Sequence, residues 1–198
     1  MKTDEKMSET HYVVAYAGPF GFIKPWTAVR DELTYSQQFL TPSMVEGMRQ
    51  KLDVSEIYRH RLTHDGFSVQ GETTQSAGID RKTVKKRQEV TYNRATAVLD
   101  RGVMLNPRLH LAFPNREDAE NAHQQHLCLS RNEDVVMPDG PIREMTETEF
   151  DELAGFELVF GQGDDAFMVG YNRYENGAPM YGTLDIIGDP VSADRTMR

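Results

Sequence analysis

The sequence predicts an α+β fold, and three observations carry that prediction. Short segments with strand-like alternation or β-rich composition recur at 11–17, 57–62 and 108–113. Helical segments are few, at 44–52, 116–126 and 146–153. Strands and helices do not alternate regularly, so a doubly wound parallel sheet is not expected.

His11 to Ala17 (HYVVAYA) is rich in Tyr and Val and reads as a strand, stopped by the turn signal Gly18-Pro19. Phe20 to Ser36 is a loop with so many apolar residues (Phe20, Phe22, Ile23, Trp26, Val29, Leu33, Tyr35) that it is expected to pack down. A helix follows from about Met44 to Leu52. Ser43 and Glu46 have capping-box spacing, and Met44, Val45, Met48 and Leu52 fall on one face. Ile57 to Leu62 alternates apolar and basic residues, and with Phe67 to Gln70 it suggests a hairpin turning at Asp65-Gly66. Thr73 to Asp80 reads as loop. Arg108 to Phe113 alternates again, and 116–126 is helix-compatible after Pro114-Asn115. Thr146 and Glu149 form a second capping-box pattern. Phe156 to Phe160, Phe167 to Val169 and Thr183 to Ile187 are candidate C-terminal strands. The resulting β-α-β-β opening is compatible with half of a ferredoxin-like unit, although periodicity alone does not establish it.

A chain of 198 residues suits one domain, or one domain with a small appendage. Cys128 is its only cysteine, which excludes an internal disulfide framework and a Cys-rich zinc site. No apolar run approaches the roughly 18–20 residues of a membrane span, and the polar opening MKTDEKMSET has no secretion segment. The expectation is a cytoplasmic protein with no membrane contact.

The net charge of −9 argues against nonspecific nucleic-acid binding, but the charge is unevenly placed. The stretch RKTVKKRQEVTYNR holds Arg81, Lys82, Lys85, Lys86, Arg87 and Arg94 against Glu89 alone. Residues 132–165 carry eleven acids and one base, Arg143. Clustered Lys and Arg suit phosphates, and Arg offers a planar fork for bidentate contact. The plainer reading is a solvated charged loop. Arg59, His60, Arg61 and Tyr92 strengthen the first reading, since aromatics among cations stack on unpaired RNA bases.

Other constellations are weaker. His123, His126 and Cys128 are too few for a tetrahedral metal set, so no metal or cofactor is expected. Gly161-Gln162-Gly163 runs into Asp164-Asp165, which would repel phosphate, and reads as a turn. Ser43 and Ser130 lack a nucleophile-elbow setting. A metal-free ribonuclease would need a base and a cation beside one phosphate. His60, His64, His110, His123 and His126 are the available bases.

The order of motifs resembles the Cas family numbered five, closest to its type I-C branch. The carrying residues are Gly18, Phe22, Pro25, Thr34-Tyr35, Thr41-Pro42-Ser43 and Gly47. TYNRATAVLDRGVMLNPRLHLAF is similar to that family's basic segment entering a strand, and Ser130-Arg131-Asn132-Glu133 to its Leu-Gly-Arg-Arg-Glu turn. The resemblance implies a ferredoxin-like or RRM-like RAMP domain over 10–135 and a small acidic antiparallel β extension over 136–190. Residues 1–9 and 191–198 are expected to be disordered. It implies an RNA-binding subunit of a type I CRISPR effector, Cascade. Such a subunit holds the 5′ handle of CRISPR RNA and caps the backbone, with the backbone and large subunits as partners. The type I-C branch also cuts repeat RNA without metal. Its catalytic Tyr has no counterpart at Lys51-Leu52-Asp53-Val54, and its Lys-His pair none at Asn121-Ala122-His123, so no catalytic residue is carried over.

The expected RNA-binding set is therefore Tyr35, Arg49, Lys51, Arg59, Arg61, Arg81, Lys82, Lys85, Lys86, Arg87, Tyr92, Arg94 and Arg131. Two other functions stay open: a metal-independent endoribonuclease of repeat RNA, and a mobile-element homologue that joins and inhibits a host Cascade.

Overall fold

The computed structural model describes residues 10–28, 32–74, 79–84, 89–94 and 96–192; within 79–84 and 89–94 it describes the backbone and the side chain of Tyr92. The fold is mixed α/β, with a large, mainly antiparallel sheet and three short helices among the described residues.

Four strands form its centre: β1 (Thr10–Ala17), β4 (Arg59–Thr63), β9 (Arg108–Phe113) and β11 (Val135–Pro138). They lie in the order β11-β1-β9-β4, each antiparallel to its neighbour. Helix α1 (Pro42–Leu52) lies in the connection from β1 to β4, and α2 (Arg116–His123) in that from β9 to β11. Strand side chains alternate between faces, which divides the residues cleanly. Val14, Tyr16, Leu62, Leu109, Leu111 and Phe113 form a single core with Val45, Met48 and Leu52 of α1 and Ala119 and Ala122 of α2. Tyr16 also donates its hydroxyl to the Ala122 carbonyl at 2.6 Å, pinning α2 to the sheet.

The C-terminal strands extend this sheet. β13 (Gly155–Phe160) pairs β4 and β15 (Ala178–Ile187), and β15 pairs β14 (Phe167–Asn172) at the edge. β12 (Arg143–Thr146) pairs the first half of β1. Helix α3 (Glu147–Asp151) follows it and packs Phe150 on the opposite face from α1, against Val13 and Ala112.

A second sheet grows from the connection between β4 and β9. In it β5 (Phe67–Thr74) pairs β8 (Ala97–Leu105) over eight residues; within the β5–β8 connection, β6 (Ile79–Val84) pairs β7 (Glu89–Arg94) as a separate two-stranded sheet. The four strands make a nested hairpin. β2 (Phe20–Gly21) and β3 (Leu33–Tyr35) line the other edge of β8.

Several expectations are met in detail. β1, β9, α2 and α3 fall where patterning placed them, and Thr146 with Glu149 forms a true capping box. The structure adds that Asn115 caps α2. Phe22 and Ile23 are buried, so the start of the 20–36 loop packs down.

Others are corrected. Asp65-Gly66 does not turn a β4–β5 hairpin, because β9 and β13 already occupy both edges of β4. It carries the chain between sheets, bonded to Leu105 in both directions. The 73–80 segment contributes to β5 and β6 where a loop was expected. Ser43 does not cap α1: Pro42, with its preset φ, starts the helix two residues earlier than expected. Glu46 turns instead to Arg49 and Gln50. Val191 and Ser192, expected in the disordered tail, are tied back to His64.

Candidate nucleic-acid interface

The expected RNA-binding residues do not form one edge. Arg59 and Arg61 sit on the sheet face under α3, away from α1. Arg59 Nη1 lies 2.6 Å from both Glu147 and Asp151, and its Nη2 lies 2.7 Å from Glu157. Burial opposes the charge of Arg59, yet bonds from Glu157 and Asp151 raise its pKa. Arg61 is wholly buried, with Nη1 shared between Glu157 and Asp185. Both guanidiniums lie over the Phe150 ring, at 4.8 and 5.9 Å. These arginines hold the sheet to α3 through the acids and the ring that face them.

Arg49 is committed to its own helix. It forks onto Glu46 at 2.8 and 2.9 Å and donates to the Val54 carbonyl. Arg131 forks onto the buried Asp134, closing the 129–134 turn, and stacks on Phe22 at 5.3 Å. Tyr35 lies on Gly102, where any Cβ would strike its ring, and half of it stays exposed. Tyr92 is 65% exposed on β7, registered opposite Arg81, with Arg94 two positions along. Lys82 lies on β6. Lys85, Lys86 and Arg87 lie outside the described residues.

Lys51 leads to a different site. Among the basic residues whose side chains are described, Lys24, Lys51, Arg143 and Arg173 have no described carboxylate within ion-pair distance. Three of these four converge on one groove. Its larger part, about 470 Å³, is lined by Lys51, Gly47, Cys128, Arg173, Tyr174 and their neighbours. A smaller part, about 220 Å³, includes Lys24 and Trp26. Ser43, Met44, Ser130 and Tyr171 line both. Among the described residues no carboxylate lines either part, in a chain of net charge −9.

Each wall is built locally. α1 contributes Ser43, Gly47 and Lys51 from successive turns of one face, at four-residue spacing. The Arg131–Asp134 clasp presents Ser130 and Asn132. β14 and its turn bring Tyr171, Arg173 and Tyr174; the buried Asn172 fixes that turn by accepting from the Tyr174 and Gly177 amides. Trp26 meets Tyr171 edge to face at 6.0 Å, and Arg173 lies 4.9 Å over the Tyr174 ring. Trp26 and Tyr171 are 47% and 60% exposed. Unpaired cations suit phosphates, and open aromatic faces suit unpaired bases.

Sequence patterning found Lys51 but not Lys24, Trp26, Tyr171, Arg173 or Tyr174. The available signal was Tyr171-Asn172-Arg173-Tyr174, which repeats the Tyr-Asn-Arg of Tyr92-Asn93-Arg94.

The histidines do not converge there. His60 and His110 lie on opposite sheet faces, their pKa values pushed down by burial to about 3 and about 4, with nearby arginines adding to the effect. His64 bonds Gln38 and is also lowered by burial, and His123 bonds the Gly140 carbonyl. Among the described residues no three His, Cys, Asp or Glu side chains gather in a metal-binding arrangement. Nor is any described helix long and apolar enough to cross a membrane.

No family model and no curated protein matches this sequence. Among solved structures, the chain is similar to one described as "CRISPR RNA-guided surveillance complex". The identity is 14% and the TM-score 0.46, over 89% of this chain and 90% of that one.

Proposed function

We propose that this protein is an RNA-binding subunit of a type I CRISPR effector, holding the 5′ handle of CRISPR RNA beside the backbone and large subunits. The acid-free groove carries the RNA-binding part of the reading. Lys24, Lys51 and Arg173 receive phosphates, and Trp26, Tyr171 and Tyr174 offer ring faces to unpaired bases. The basic residues of 81–94 supply a second contact: Arg81, Lys82, Lys85, Lys86, Arg87 and Arg94, with Tyr92 among them.

The CRISPR part rests on the sequence motifs. Three of them meet at the groove: Thr41-Pro42-Ser43 at the start of α1, Gly47 within it, and the Ser130-Arg131-Asn132-Glu133 turn. The β11-β1-β9-β4 order, with helices in the β1–β4 and β9–β11 connections, supports the ferredoxin-like RAMP reading.

The test is a gel shift with a repeat-derived handle RNA and a scrambled RNA of equal length. Tighter, salt-sensitive binding to the handle is expected. Equal weak binding to both contradicts handle recognition.

A further inference from the structure

A glycine in mid-helix is a poor choice for stability, since it forms helix less readily than alanine. Gly47 nonetheless sits at the sixth of the eleven positions of α1, between the buried Val45 and Met48. The reason lies across the groove. A Cβ built at Gly47 would lie 3.1 Å from Arg173 Nη2 and 3.1 Å from Tyr174 Oη. Arg173 also donates from Nη2 to that hydroxyl at 3.0 Å.

The partner turn is fixed from its own side. Glu175 and Gly177 donate their amides to the Asn172 carbonyl, and Ala178 donates to that of Glu175. Asn176 and Gly177 take the positive φ values, 52° and 75°, that close it. Since the turn backbone is set, a side chain on α1 would displace the ends of Arg173 and Tyr174 first. Those ends are flexible, so the fold would survive.

We infer that Gly47 is a positioning residue for RNA: its missing side chain seats the Arg173–Tyr174 pair against α1 and so forms the C-terminal wall of the groove. The inference rests on the RNA reading of this groove. It makes the turn after β14 part of the binding site and gives Gly47 an effect on binding opposite in sign to its effect on stability.

The test compares wild type, Gly47→Ala, Arg173→Ala and the double variant, with handle RNA. Gly47→Ala is expected to melt at the same temperature or about 2–4 °C higher, as helix propensity gives in a chain of this size. It is expected to bind RNA about tenfold more weakly, the loss of one charge-assisted contact. Its log–log salt slope should be shallower by about 0.7, one phosphate on a single strand. Gly47→Ala should add nothing to Arg173→Ala, because both remove the same contact. Unchanged affinity and slope, or fully additive losses, overturn the inference.

An RNA-free readout separates the two claims. Trp26 is the only tryptophan and lies in the groove, so iodide quenching relative to acrylamide reports anions gathered there. Both single variants should lower that ratio, again without adding. If wild type binds no RNA but the quenching pattern holds, the RNA reading fails and the seat stands. If RNA binds and neither readout responds to Gly47→Ala, the seat fails alone.

Discussion

Arg61 and Glu157 meet inside the protein across β4 and β13, 3.3 Å apart, with the side chains 1% and 5% exposed. Glu157 also serves Arg59, so one carboxylate bridges two cations. Glu157→Gln should cost about 1–3 kcal/mol in urea denaturation: it weakens charge-assisted bonds to two guanidiniums, while Glu147, Asp151 and Asp185 still pair them. Arg61→Met should cost clearly less and leave RNA affinity unchanged. Loss of RNA binding in a folded Arg61→Met protein would restore Arg61 as an RNA contact.

The buried histidines set an acid limit on stability. In the unfolded chain, His60 and His110 take up protons near about pH 6.5. In the folded protein they resist protonation until about pH 3 and about pH 4. The unfolded state therefore binds more protons in that window, so their contribution is intact above the unfolded value and is lost as pH falls. The loss approaches about 1.4 kcal/mol per pH unit for each histidine. Melting temperatures between about pH 5 and 6.5, above the carboxylate range, should fall with acid. A His110→Gln protein should show a shallower fall, and an unchanged slope would contradict the assignment.

The Thr146–Glu149 box starts α3, which carries Glu147, Phe150 and Asp151 to the arginine pair. Thr146→Ala should cost about 1 kcal/mol, and Thr146→Ser much less. Equal losses in both variants would mean that the Thr methyl, and not its oxygen, matters.

Tyr171 presents the most open ring in the groove. Tyr171→Ala should weaken RNA binding by about 1–3 kcal/mol, the worth of one stacked base. The loss should be similar for purine and pyrimidine strands, and the salt slope should not move. A changed slope without a changed affinity at low salt would argue against stacking.

Local chemistry was legible in the sequence where neighbours in the chain decide the structure. The alternation of Arg108 to Phe113 and the Thr146 box each act within a few residues. What required distant strands was not legible. Asp65-Gly66 has the composition of a hairpin turn, but the occupied edges of β4 depend on β9 and β13, far along the chain. Alternation at Arg59 and Arg61 marked one face correctly, yet nothing local shows that Glu157 and Asp185 cover it. The groove was hidden for the same reason: Lys24, Lys51 and Arg173 span most of the chain, and their shared trait is that no described acid pairs with them.

The most direct test of the account is the salt dependence of handle-RNA binding by wild type and by Lys51→Glu/Arg173→Glu, with circular dichroism to establish that both are folded. If those two side chains hold phosphates, the double variant should bind more than about a hundredfold more weakly, with a log–log slope shallower by about 1.4. The same affinity and slope in both proteins would place the RNA elsewhere and contradict the account.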